Sequence, residues 1–270
     1  MTDSEIRIAV LLPDLLGTYG DRGNAIVLAQ RLHWRGHRCM IIDVCADESI
    51  PTSCDIYLLG GGEDIAQQEA VRVLDSRRFH RAIDADPVVL AICAGLHVLG
   101  NTMIDVDGGC QPGLGLLDLI SRPGSRRAIG EVVATADPMI GLADPVLTGF
   151  ENHRGRTELG PRATPLARVG IGVGNGDHTE GAVSDRVIGT YLHGPVLARN
   201  PALADHILAL ATGIPQPPLE LPDQNTLRTT AFRRAGRQRS RWRRLRDHLT
   251  PRRWTAPGTT TGQRSPQDLA

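Results

Sequence analysis

Across the first hundred residues, short apolar runs alternate with stretches whose apolar positions recur at helical spacing, and few folds are compatible with that alternation. IRIAVLLP reads as a strand, GNAIVLAQRLHWRG as an amphipathic helix and HRCMIIDV as a second strand. DIYLLGGG is a strand ending in glycines. A polar-faced helix is expected from about Asp64 to Asp84, and PVVLAI is a strand leading into a helix that opens at Ala94. Successive parallel strands need long crossover connections, which helices supply, so this order predicts an α/β fold: a parallel sheet covered by helices on both faces.

After Gly100 the pattern changes to short β-like runs, RAIGEVVATA, VLTGFEN, LARVGIGVG and GAVSDRVIGTYL, broken by Gly, Pro and Asp, which reads as mixed or antiparallel sheet. PALADHILALAT is expected as the last helix, with proline in its first turn and Gly213 as its stop. GIPQPPLELPDQ is Pro-rich and marks a boundary. The expected organisation is a compact domain over residues 4–214 and a flexible extension over 215–270, first Pro-rich and then Arg-rich.

At 270 residues and 41% hydrophobic, the chain can bury a sizeable core. No apolar run approaches the roughly 18 residues of a membrane span, and MTDSEIRIAV lacks the basic start and apolar middle of a signal peptide, so a cytoplasmic location is expected. The five cysteines, Cys39, Cys45, Cys54, Cys93 and Cys110, are odd in number and lack CxxC spacing, which fits neither a disulfide framework nor a zinc site. All 30 basic residues are arginine, so a P-loop lysine and a Schiff-base lysine are excluded. Twelve of these arginines follow Leu227, leaving the rest of the chain acidic on balance. Within that tail RWRRLRDHL sets Trp242, Leu245 and Leu249 on one side among arginines, a pattern suited to an anionic membrane surface, nucleic acid, an acidic partner or plain solvation.

In open α/β sheets ligands bind beyond the carboxyl ends of the strands. Cys93 lies at such an end, between a strand and the helix opening at Ala94, where unpaired N–H groups favour a thiolate. AICAG resembles the strand-to-helix elbow that presents a nucleophile; the alternative is a buried, inert thiol. Gly60, Gly61 and Gly62 end another strand and could turn N–H groups toward the same crevice. A thiolate acting on an acyl group also needs a base. His193 follows the strand RVIGTYL on the same edge, His153 in FENHRGRT is its rival, and His97 lies one helical turn beyond Cys93.

Together with YGDRGN, GFENHRGRT and GTYLHGP, these features resemble a class I glutamine amidotransferase domain of the cobyric acid synthase-like branch. Within that branch they resemble the GatD-type glutaminase subunit of lipid II isoglutaminyl synthase over residues 6–212. The resemblance implies a flavodoxin-like sandwich whose L-glutamine is hydrolysed through a thioester on Cys93, with Gly61 and Ala94 N–H groups holding the oxyanion and His193 as acid and base. It also implies a heterodimer with a Mur-ligase-like synthetase subunit. That partner would use ATP and Mg to amidate the D-glutamate α-carboxyl of lipid II, so no cofactor is expected in this chain. Arg127 matches the arginine that holds the α-carboxylate of free glutamine, its alternatives being the adjacent Arg126 in that role or an exposed charge. Pro195 stands where class I domains commonly carry a glutamate, so Asp21 becomes the orienting carboxylate, its alternative being a helix cap. His97 stands where the family usually has a glutamine that contacts substrate; a histidine there can make one hydrogen bond to substrate, perturb the thiolate or simply pack. Two other functions stay open: an amidotransferase serving another carboxylate such as cobyrinic acid, and a non-catalytic binding protein that uses its basic tail. Nucleic acid is not expected as a partner, whereas peripheral membrane contact through the tail and plain solvation both stay open.

Overall fold

The computed structural model describes residues 5–219 and 221–249. Strand β1 (Ile6–Leu11), helix α1 (Gly23–Trp34), β2 (Cys39–Val44) and β3 (Ile56–Leu59) follow the expected order, as do β4 (Val88–Ile92) and the short helix α4 (Ala94–Val98). Between β3 and β4 the single expected helix is two, α2 (Asp64–Leu74) and α3 (Arg77–Asp84). The break falls at Ser76, whose extended backbone leaves the helix and whose hydroxyl accepts from the Phe79 N–H at 3.3 Å, starting a new helix.

The next elements are β5 (Thr102–Ile104), β6 (Cys110–Pro112), β7 (Leu119–Ala136), β8 (Val146–Leu159), β9 (Ala167–Ile171), β10 (Thr179–Glu180), β11 (Ala182–Ser184) and β12 (Val187–Thr190). The first sheet has the order β11-β12-β4-β3-β1-β2, parallel except for the edge strand β11. Taking β12 as the fifth strand, this is the 2-1-3-4-5 order of flavodoxin-like folds. Every residue of β4 is buried, which is why VVLAI is unbroken apolar sequence rather than alternating. The second sheet, order β10-β9-β7-β5-β6 with β8 paired to β7, is antiparallel apart from the β5–β7 pair.

Helices α5 (Val196–Arg199) and α6 (Pro201–Thr212) pack with α1 as one group, while α2 packs on α4 as another. A seventh helix, α7 (Pro222–Leu249), follows. Within the extension this range is helical, and α7 docks on β7, β8, β9 and α5. Ala231 and Ala235, one turn apart, are buried, and the buried Arg228 pairs with Asp144 at 2.8 Å and donates to the Val146 carbonyl at 3.0 Å. The small residues on one face permit this close packing. Trp242, Leu245 and Leu249 lie beyond the residues whose side chains are described. Among the described residues no helix is long and apolar enough to cross a membrane.

Candidate active site

The strand order reverses at β1, which lies between β2 and β3, and the loops leaving the carboxyl ends of β1, β3, β4 and β12 meet beside that switch point. The loop after β1 carries Tyr19 and Asp21, the loop after β3 carries Gly60 to Gly62, Cys93 follows β4 and His193 follows β12. Strands β4 and β12 are parallel neighbours with Ile92 opposite Thr190, and the Cys93 N–H donates to the Thr190 carbonyl at 2.8 Å. Residues about a hundred positions apart in sequence are thereby placed on one edge.

Cys93 sits at φ 52°, ψ −101°, a region that a non-glycine residue occupies only when its surroundings enforce it. Gly95 permits the turn: a Cβ there would lie 2.8 Å from the Leu59 Cβ, so only glycine lets α4 approach β3. The thiol is buried and reaches the wall of a cavity of about 280 Å³. Burial first, and then the negative charge of Asp21, push its pKa up to about 12, against the opposing pull of the Ala94 N–H and Arg127. The resting group is a thiol, so an attack by sulfur requires a base.

His193 has the geometry such a base needs. Its Nδ1–H donates to Asp21 Oδ1 at 3.2 Å, since an ionised carboxylate only accepts. Its Nε2 is then the lone-pair nitrogen, buried and without a hydrogen-bond partner. The His193 backbone is held by two hydrogen bonds with Phe150, at 2.9 and 3.0 Å. The other Asp21 oxygen accepts from the Gly61 N–H at 2.9 Å. Gly61 must be glycine, because a Cβ there would stand 2.9 Å from the His193 Cε1 and 2.8 Å from the Tyr19 Cδ2.

This corrects the expected role of Gly61: its N–H is taken by Asp21 and is not free for an oxyanion. Gly62, the next residue, lines the cavity, and its N–H has no acceptor among the described residues, leaving it with Ala94 as the available donors. Asp21 is not the side-chain cap of α1, where no cap hydrogen bond is formed.

His97 also departs from the role of the family's glutamine. It borders the cavity, yet both ring nitrogens are taken within the protein, Nδ1 by Gln67 Oε1 at 3.1 Å and Nε2 by the Tyr191 hydroxyl at 2.8 Å, which in turn meets the Thr157 hydroxyl at 2.7 Å. Neither nitrogen is left for substrate. Burial, reinforced by His153, lowers the His97 pKa from 6.5 to about 3. In this pH range the unfolded chain binds the proton and the folded chain does not, so stability falls as pH drops from about 6.5 toward 3. Between pH 7 and 5 this amounts to roughly 2 kcal/mol. His97→Gln, which has no titrating ring, is expected to remove that loss, measured as the difference in urea unfolding free energy between the two pH values.

His153, the rival base, stacks on Tyr191 with ring centroids 3.7 Å apart and meets the Gly155 carbonyl through Nδ1 at 3.0 Å. It is a wall of the site with no bond to Asp21. Arg127 lies where β7 and β8 lose register between Pro123 and Ala128, and it lines the cavity, whereas Arg126 does not. Such irregularities re-aim side chains. Arg127 Nε donates to Asn152 Oδ1 at 2.7 Å and one Nη to the Tyr19 hydroxyl at 3.1 Å. Tyr19 and Asn152 were not anticipated as site residues, although both lie inside the YGDRGN and GFENHRGRT stretches, which were the available signal.

Residues 7–201 match the CobB/CobQ-like glutamine amidotransferase domain. The chain belongs to this family. The amidotransferase is 34% identical over 247 residues, 87% of its own length and 98% of the relative's, to the lipid II isoglutaminyl synthase (glutamine-hydrolyzing) subunit GatD of Staphylococcus aureus strain N315. It is 33% identical over 213 residues, 77% of its length and 80% of the relative's, to the subunit of the same name from Streptococcus pneumoniae strain R6. Cobyric acid synthase of Brucella abortus strain S19 is 39% identical over 163 residues, but that match spans 57% of this chain and only 32% of the synthase. A crystal structure of a glutamine amidotransferase, 19% identical, superposes with a TM-score of 0.52 over 76% of this amidotransferase and 98% of that chain, a likeness of fold.

Proposed function

We propose that this chain is the glutaminase subunit of a lipid II isoglutaminyl synthase. The observation that carries the reading is the buried His193–Asp21 pair, its Nε2 unpartnered, on the same sheet edge as the Cys93 elbow. Similarity over most of both chains to two subunits of that name favours it over a cobyric acid synthase, which the chain matches over about a third of the synthase's length. As the Cys93 sulfur attacks the side-chain carbonyl of glutamine, its proton passes to His193 Nε2. The developing oxyanion is met by the Ala94 and Gly62 N–H groups. The His193 imidazolium, steadied by Asp21, returns the proton to the departing ammonia and leaves a glutamyl thioester. Water activated by the same imidazole then releases glutamate.

Ammonia passes to a Mur-ligase-like partner that, with ATP and Mg, amidates the α-carboxyl of D-glutamate in lipid II to D-isoglutamine. Reconstitution with that partner, lipid II, ATP and L-glutamine is expected to give amidated lipid II. Product formed from ammonium chloride but never from glutamine would overturn the reading. The arginine-rich end of α7 is proposed to rest on anionic lipid near this substrate; truncation after Gly236 is expected to abolish co-sedimentation with anionic vesicles and to spare ammonia release.

A further inference from the structure

The geometry points to Tyr19 as a second recognition residue for the amino-acid substrate: its hydroxyl, held by Arg127, donates a hydrogen bond to the substrate α-carboxylate. The inference rests on the glutaminase reading above and deepens it. Its basis is a count of donors. Arg127 spends Nε on Asn152 Oδ1 and Nη2 on the Tyr19 hydroxyl and, at 3.4 Å, on the Asn152 carbonyl, while Nη1 has no partner among the described residues. A phenol oxygen that accepts from a guanidinium must aim its own hydrogen elsewhere. None of the described residues accepts that hydrogen, and Tyr19 is half-buried on the cavity wall. Burial, and then the charge of Glu63, raise the Tyr19 pKa, so the hydroxyl keeps its proton.

Asn152 is fixed in the same sense. With Oδ1 engaged by Arg127, its NH₂ is left without an acceptor. Three neighbouring side chains therefore carry unspent N–H or O–H hydrogens at the cavity, which suits a carboxylate better than an ammonium group. The rest of the wall is less suited to an anion. Arg122 is paired to Glu158 at 2.6 Å, Arg154 Nε is bound to the Gly124 carbonyl at 3.0 Å, and Glu63 and Asp105 are themselves anionic. The Tyr19 ring packs on the His193 ring with centroids 4.6 Å apart, so the side chain that would hold the carboxylate also borders the base.

The test is calorimetric binding to the full chain carrying Cys93→Ala, with and without Tyr19→Phe, which keeps the ring and removes only the hydroxyl. Adding Tyr19→Phe is expected to weaken L-glutamine about tenfold to a hundredfold, the scale of one charge-assisted hydrogen bond. 4-Aminobutanamide, which has the side-chain amide but lacks the α-carboxylate altogether, is expected to bind both proteins alike. Three results would overturn the inference: glutamine affinity unchanged by Tyr19→Phe, equal weakening of both ligands, or no glutamine binding by the parent. Ammonia release by the otherwise wild-type protein is a separate readout. Binding without turnover rejects the glutaminase reading and keeps the carboxylate contact, whereas turnover with unchanged binding in Tyr19→Phe rejects the contact alone.

Discussion

Cys93→Ala is expected to reduce ammonia release from glutamine by on the order of 10⁶-fold, the scale seen when a covalent nucleophile is removed. No other described side chain takes over: Cys54 is packed in the core, and Cys39, Cys45 and Cys110 are absent from the cavity wall. The substitution removes a single buried sulfur atom, so the fold is expected to persist, with a thermal midpoint near that of the parent. Ammonia release by the assembled complex is the measurement, and turnover within tenfold of wild type would remove Cys93 from the chemistry. The alternative reading as a non-catalytic binding protein predicts that neither the parent nor the variant releases ammonia.

Asp21→Asn is expected to lower kcat by about 10³- to 10⁴-fold, as when the orienting carboxylate of a nucleophile–histidine pair becomes an amide. Both Asp21 oxygens accept, one from His193 Nδ1–H and the other from the Gly61 N–H. An asparagine has one acceptor and one donor, so it can satisfy only one of those partners. If the amide faces His193, its NH₂ favours the tautomer with the proton on Nε2, and the base is lost. If it faces Gly61, two N–H groups confront each other and the glycine turn must move. Either outcome harms the acylation step more than binding, so the KM for glutamine should change far less than kcat. A kcat within tenfold of wild type would show that the carboxylate does not orient the base.

The two helices between β3 and β4 show how local signals can be overlooked. Asp64 to Asp84 has helical periodicity throughout, and the break at Ser76 was legible only as a cap inside a polar stretch. The docking of α7 was not legible for a different reason. Arginine-rich composition weighs against a core, but Ala231 and Ala235 recur on one face of α7, and a helix needs only one narrow face to dock. At the site, the elbow at Cys93 and the strand ending at His193 were legible because each is a local pattern. The partners of their polar atoms were not, as Asp21 meets His193 across 172 positions and His97 meets Tyr191 across 94.

By itself, then, the sequence determined the alternating elements and the parallel sheet they require, and it placed Cys93 and His193 at the ends of two strands, with Asp21 added by the resemblance. Periodicity and elbow residues act over a few neighbouring positions, so they survive without the fold. Only the tertiary structure decided which hydrogen-bond donors and acceptors are already spent. It closed both nitrogens of His97, took the Gly61 N–H for Asp21, left His193 Nε2 open, and joined Tyr19 and Asn152 to Arg127. The physical reason is that a hydrogen bond reaches about 3 Å. Whether two groups come that close depends on the packing of β4 beside β12 and of the two sheets around the cavity, which no single stretch of the chain encodes.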